Sequence, residues 1–315
     1  MKAVLFDTED RYRIAETDEP VPGPGQVAIR VAYAGIQWGD TMVRDGHFPV
    51  PRPFVPGFEA SGHIIAVGDG VDPGRIGEPV AALTTAGAYA EVAVAPAVLT
   101  LEIGAMPLRT AAGLGWGAPT AYDLINAASR VRPGESVLVH AAAGSVGTLA
   151  AQFARLAGAG RVVGVAGSTA RAAYAAQFGY DQVLLREDLP AELGEEKFDV
   201  ILDPVGGSTR QAGLERLAAH GRLVAYGNLS TYEPVLANTN DLLMQGKSLL
   251  TYNSNLLGQT HPERLADSAR RALGLVADGH VRVDVTAEYA LTDVARAVQR
   301  LADGSTHGKS VLRVS

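Results

Sequence analysis

The apolar run SVLV (Ser136–Val139) passes directly into HAAAGSVG (His140–Gly147), a stretch with no group capable of covalent chemistry. Four apolar residues ending in a small-residue turn read as a strand buried on both faces, and the periodic segment from about Ser145 to Ala157 reads as the helix after it. The same alternation continues from about Pro119 onward. RVVGVAG precedes a helix from about Thr169 to Phe178, then come DQVLL and FDVILD (Phe198–Asp203), a helix from about Ser208 to Leu217, and GRLVAYG (Gly221–Gly227). Strands alternating with helices in this way predict an α/β region built on a doubly wound parallel sheet.

The first third reads differently. VAIRVAYAG (Val27–Gly35), ASGHIIAVG (Ala60–Gly68) and AYAEVAVAP (Ala88–Pro96) are short β-type runs separated by PVPGPGQ and PRPFVPG, which predicts a small, partly barrel-like β domain. The tail from about Leu256 carries a helix over roughly Pro262–Asp278, the strand-like VRVDV, a helix over TDVARAVQRLADG and the terminal strand SVLRV. Its last strand resembles the first third in character, so the expected organisation is a split, mainly β domain, 1–117 with 256–315, around a sheet domain at 118–255.

Several function classes drop out on composition. The formal net charge is −7, which offers no general basic surface to nucleic acid or anionic lipid. No stretch approaches the roughly 18 apolar residues of a membrane helix, and the N-terminus turns acidic before a leader-like segment develops. The expectation is a cytoplasmic protein. Cysteine is absent, which removes disulfides, thiolate nucleophiles and thiolate metal ligands together. Glycine stands at 36 residues and clusters at the ends of apolar runs, where tight turns belong.

Ala142, Gly144 and Gly147 fall on the spacing G-x-G-x-x-G with alanine in the first place. That spacing between strand and helix suits a dinucleotide: the middle glycine admits a pyrophosphate to the backbone, the last allows close packing, and the helix start at Ser145 and Val146 offers N–H groups to the anion. About 20 residues further on, an NAD site places a carboxylate against the ribose 2′-hydroxyl. Here the chain reads Ala166, Gly167, Ser168, with Arg171 following. A small, polar, cationic site suits a 2′-phosphate, so the cofactor expected is NADPH.

Together MKAV, AGIQWGDTMVRDGHFP, PGFEASGHI, GAYAEVAV, HAAAGSVG, DPVGG, YGN and HGKSVL span nearly the whole chain. They resemble the medium-chain dehydrogenase/reductase superfamily, and within it the zinc-free quinone oxidoreductase branch. The resemblance implies a Rossmann domain with a discontinuous GroES-like catalytic domain. Where zinc-dependent members carry a Cys and a His ligand, this chain has Gln37 or its neighbours and Phe58. Amide and aromatic groups do not replace thiolate and imidazole, so no metal is expected. Hydride would then pass from NADPH to an acceptor that is already electron-poor, a quinone or an α,β-unsaturated carbonyl. A runner-up is an enoyl reductase acting on a polyketide-derived or other natural-product enone, and a third reading is a non-catalytic NADPH-binding protein.

The resemblance also nominates site residues. Gln37 falls where zinc-free relatives often carry Asn near the nicotinamide and substrate. Asp40 is a candidate acid, although Asp40 and Arg44, four apart, also read as a helix ion pair. Relatives carry tyrosines where this chain has Met42 and Phe48, which leaves water or His47 to protonate the product. Thr120 matches a threonine near the nicotinamide and equally reads as a helix N-cap. Trp38, Trp116 and Tyr122 would line an aromatic pocket or belong to the core. Asn228 matches a cofactor contact, and Lys309 a position near the adenosine 2′-phosphate or the interdomain cleft. Ser248–Leu257 matches an edge strand paired across a two-fold axis, which implies a homodimer.

Overall fold

Ser136–His140 lies inside a six-stranded sheet in which every pairing is parallel. The computed structural model describes residues 1–315 except Asp10. The chain divides into two units, Met1–Pro119 with Leu257–Ser315, and Thr120–Leu256.

The sheet belongs to the second unit, and its order across is Gln182–Leu185, Arg161–Ala166, Ser136–His140, Phe198–Asp203, Leu217–Ala225 and Ser248–Thr251. Counted along the chain this is third, second, first, fourth, fifth, sixth, the Rossmann order, and it reverses between the first and fourth strands. The strands are apolar on both faces because helices cover both: Val137, Leu138, Val139, Val200, Ile201 and Leu202 are all fully buried. The helix Ser145–Leu156 turns Gly147, Leu149, Ala150, Ala151, Phe153 and Ala154 inward. Its approach is close enough that a Cβ at Gly147 would lie 2.5 Å from the Ala141 carbonyl oxygen.

The other unit carries a sheet ordered Val285–Ala290, Lys309–Arg313, Gln26–Ile36, Glu59–Val67, Pro79–Leu83 and Thr100–Glu102, with Val92–Pro96 also paired to Gln26–Ile36. The terminal strand joins antiparallel to the long early strand, Ser310 opposite Ile36 and Arg313 opposite Tyr33. Its main core gathers Val4, Val31, Ile36, Tyr89, Val298 and Leu312.

Four local expectations change. The run VRVDV is strand only from Val285, and Ala88–Glu91 precedes its strand rather than belonging to it. Ser248–Leu257 is strand only over Ser248–Thr251, and a helix begins at Ser254. Thr120 lies within the helix Gly117–Asp123, so it is not an N-cap. Among the described residues no helix is long and apolar enough to cross a membrane.

Candidate active site

The turn after Ser136–His140 is built from the backbone. Ala141 adopts φ +56, an uncommon left-handed conformation for a residue with a side chain, and Gly144 donates its N–H back to Ala141 O at 3.0 Å. Gly144 then serves as the extended N-cap of the helix from Ser145. The first-turn N–H groups of Ser145, Val146 and Gly147 have no acceptor within their own helix, which suits this end to an anion. Ala142 and Ala143 are buried beneath it. Ala142 also explains a second glycine: a Cβ at Gly164, on the neighbouring strand, would come within 2.8 Å of the Ala142 Cβ and 2.9 Å of the Tyr180 ring.

Tyr180 holds this turn from behind. Its hydroxyl donates to Gly147 O at 2.7 Å. The residues on either side fasten the same helix: Arg155 Nε donates to Gly179 O at 2.7 Å, and Arg155 also pairs with Asp181 at 2.5 Å. Asp181 accepts the N–H of Val162 in turn. The segment Gly179–Asp181 therefore ties both ends of the helix to the second strand.

Beyond that strand, Ser168 caps the helix Thr169–Ala175 by accepting the Arg171 N–H, and Gly167 is exposed next to it. Two guanidinium groups meet here. Burial, and then the charge of Arg186, lowers the pKa of Arg171. Arg186 follows the third strand and lies against Gly167, where a Cβ would be 3.8 Å from its guanidinium nitrogen. Sequence spacing pointed to Arg171 and passed over Arg186, because only the sheet order makes the end of the third strand a neighbour of the second. Two like charges drawn together in this way suit an anion.

At the reversal point the first and fourth strands end in His140 and Asp203. Burial pushes the His140 imidazole down to about 4 against the opposing pull of Asp203, so the ring is neutral at neutral pH. Asp203 is wholly buried and accepts the N–H of Val205 at 2.7 Å, the N–H of Gly206 and the Arg210 guanidinium at 2.7 Å. Arg210 continues to Gly227 O at 2.6 Å and Asn228 Oδ1 at 3.2 Å. Asn228 thus sits past the fifth strand in a network that the sequence did not reveal. At the start of the same unit Thr120 is buried, and Tyr252 donates to Asp123 at 2.7 Å.

Apart from Tyr122, the remaining candidates lie in the first unit. Gln37 is half-buried and caps the helix Trp38–Arg44, its N–H donating to Asp40 Oδ2 at 2.8 Å. Asp40 is 1% exposed, and its carboxyl is raised to about 7, chiefly by burial, with bonding to Gln37 and Tyr89 opposing. The ion pair expected between Asp40 and Arg44 is absent. Asp40 points inward, while Arg44 pairs with Asp45 at 2.6 Å and reaches Gln299.

Trp116 is buried in a core cluster, the second of its two expected places. Its indole donates to Phe58 O and its backbone N–H to Glu59, and it packs with Phe58 and Leu265. Lys309 is likewise buried, its ammonium against the Glu59 carboxylate. That pairing neutralises the charge expected to meet a phosphate, so Lys309 is not carried forward as a cofactor contact. Trp38 is half-buried, His47 and Phe48 are exposed, and the Phe48 ring stands edge-on to Phe58 at 6.4 Å. Tyr122 packs edge-on to Phe153. Among the described residues no group of three or more His, Cys, Asp or Glu side chains converges as a metal site.

This arrangement has close relatives. The zinc-binding dehydrogenase family matches residues 145–269, and the alcohol dehydrogenase GroES-like domain matches residues 23–105. A quinone oxidoreductase of Salmonella typhimurium is 34% identical over 310 residues, covering 92% of each chain. The human synaptic vesicle membrane protein VAT-1 homolog is 30% identical over 315 residues, covering 93% of this chain and 80% of that one. The crystal structure of Escherichia coli quinone oxidoreductase complexed with NADPH superimposes with a TM-score of 0.89 at 30% identity, covering 99% of this chain and 100% of that one. The chain belongs to the medium-chain dehydrogenase/reductase superfamily, and quinone oxidoreductases are its relatives over most of its length.

Proposed function

We propose that this chain is an NADPH-dependent oxidoreductase that delivers hydride to a quinone or another activated α,β-unsaturated carbonyl acceptor without a metal ion. The observation that carries the reading is the glycine turn at Gly144–Gly147 together with the guanidinium groups of Arg171 and Arg186, which lie beyond the ends of the second and third strands. The turn suits a pyrophosphate, and the two cations suit a third phosphate on the adenosine ribose. NADPH, when bound, supplies the hydride. The first-turn N–H groups would hold the anion, Ser168 and Gly167 are small residues at the start of the next helix, and Asn228 offers an amide past the fifth strand. Gln37, in the first unit, is a further candidate amide, and its backbone N–H is fixed by Asp40.

The metal-free part of the reading is supported by donor chemistry: Gln37 and Phe58 stand where zinc-dependent members of the family have their thiolate and imidazole. We also propose a homodimer through the edge strand Ser248–Thr251. Its neighbouring segment exposes Leu236, Leu243 and Met244, and an unpaired apolar edge invites a second copy. Light scattering that returned a monomer at micromolar concentration would refute it.

Loss of NADPH absorbance with 9,10-phenanthrenequinone and with a panel of enones tests the reaction. Turnover is expected, and Arg171→Ala is expected to lower the preference for NADPH over NADH by about tenfold or more. No oxidation with any acceptor, despite tight NADPH binding, would sink the enzyme; an unchanged preference would sink the phosphate role of Arg171.

A further inference from the structure

Arg210 lies seven positions after Asp203 in the sequence, and no motif marks it. Its guanidinium is held by three acceptors: Asp203 Oδ2 at 2.7 Å, Gly227 O at 2.6 Å and Asn228 Oδ1 at 3.2 Å. Asp203 is itself pinned by the N–H groups of Val205 and Gly206, so the arginine has a fixed base. A guanidinium has five N–H donors and no acceptor. The atom of Asn228 that faces it must therefore be the carboxamide oxygen, and the assignment of oxygen and nitrogen, often ambiguous for an amide, is settled by the partner. Space confirms that the fit is built: Gly206 has φ +83, and a Cβ there would lie 3.2 Å from Asn228 Oδ1 and 3.6 Å from the Arg210 guanidinium.

We infer that Arg210 is a positioning residue that converts Asn228 into a one-way hydrogen-bond donor. With its oxygen committed to Arg210, Asn228 presents only its NH2 group beyond the end of the fifth strand. The group it recognises is an acceptor oxygen, a carbonyl or hydroxyl, on the bound dinucleotide or on the hydride acceptor. A ligand presenting an N–H at that point is rejected, because two donors would face each other. The inference rests on the proposed function for the identity of the ligand, although the geometry of the pair stands without it.

The test uses Asn228→Asp, Arg210→Lys and the double variant in the full chain. Asn228→Asp keeps the shape and gives Arg210 a carboxylate, yet removes the donor. Arg210→Lys keeps a cation on Asp203, so the buried charge stays compensated, but a single ammonium does not reproduce the three-acceptor fork. NADPH affinity is read by fluorescence titration, and acceptor KM and kcat by turnover. Asn228→Asp is expected to weaken one binding constant by about tenfold and Arg210→Lys by about threefold.

A rise in the NADPH dissociation constant assigns the oxygen to the cofactor, and a rise confined to acceptor KM assigns it to the acceptor. Because Arg210 acts through Asn228, the double variant is expected to be no weaker than Asn228→Asp alone. Wild-type binding and KM in Asn228→Asp, or full additivity in the double variant, would overturn the inference. If the wild-type chain binds NADPH but turns over no acceptor, the proposed reaction fails while the titrations still decide the role of Arg210.

Discussion

Two buried acids, Asp203 and Asp40, have nearly the same exposure and opposite surroundings. Asp203, at the end of the fourth strand of the parallel sheet, receives two backbone N–H groups and a guanidinium. Asp40, in the helix Trp38–Arg44 of the other unit, receives one backbone N–H from Gln37, faces the Tyr89 phenol and feels the like charge of Glu59. Lys309 is the nearest cation in that cluster, and its ammonium is already matched to Glu59. Burial raises the energy of both carboxylates, but only Asp203 has the donors that compensate it. One acid is therefore a fixed charge that organises Arg210 and Asn228, while the other is held near its titration point.

The largest effect should come from removing the fixed charge. Asp203→Ala would strand the Val205 and Gly206 N–H groups and leave the Arg210 guanidinium, itself mostly buried, without its counter-ion. Breaking a buried pair in this way costs about 3 kcal/mol or more. Urea unfolding at pH 7 measures it, and a loss below about 1 kcal/mol would mean that the two acids are not as different as their donors suggest.

Neutralising Asp40 should do the reverse. An unfolded Asp titrates near 3.8, and the folded carboxyl near 7. Between these values the folded state holds the proton that the unfolded state has lost, so stability falls as pH rises through that window. Asp40→Asn keeps an oxygen to accept the Gln37 N–H and removes the titration. Its stability relative to the wild-type chain is expected to improve from pH 4 to pH 7 by about 2–4 kcal/mol. His140, in the other unit, has the opposite sign. Its folded pKa lies near 4 and its unfolded value near 6.5, so it contributes stability that rises with pH over that range. The two slopes oppose each other from about pH 4 to 6.5, and Asp40→Asn should expose the histidine's. A pH-independent difference between Asp40→Asn and the wild-type chain would refute the raised carboxyl.

The same contrast shows what the sequence could disclose. The glycine turn was legible because its chemistry lies in one contiguous segment: an apolar strand, small residues and a helix start, with Gly147 on the required spacing. Arg171 followed from counting along the chain. Arg186, Arg210 and the Gly179–Asp181 segment were not legible, because each meets its partner through the sheet order, which brings the ends of non-consecutive strands together. Asp40 shows a second reason. Four-residue spacing paired it with Arg44 on paper, yet the helix Trp38–Arg44 buries Asp40, Thr41 and Val43, and charge spacing does not say which face is buried. Sequence could not place Trp116 and Lys309 for a related reason, since both bond to Glu59, an acid that stands just before the run Ala60–Gly68.

The smallest predicted effect bears on whether the sheet-edge network is rigid because of its charges or because of its packing. Tyr180 carries no charge, and burial keeps its phenol protonated, yet its hydroxyl holds Gly147 O at 2.7 Å in the first turn of the helix Ser145–Leu156. Tyr180→Phe removes that bond and keeps the ring against Gly164, so the packing survives. A hydrogen bond of this kind is worth about 1 kcal/mol, and its loss should loosen the turn that presents the Ser145, Val146 and Gly147 N–H groups. The expected result is a dissociation constant about threefold to fivefold higher for NADPH and for NADH alike, because the turn is proposed to serve the pyrophosphate common to both. Arg171→Ala, by contrast, should weaken only NADPH. Equal cofactor affinities in Tyr180→Phe and the wild-type chain would show that Gly179 and Asp181, through Arg155, hold the helix without the phenol. A loss confined to NADPH would show that Tyr180 acts on the ribose-phosphate end, and the assignment of the turn to the shared pyrophosphate would fall with it.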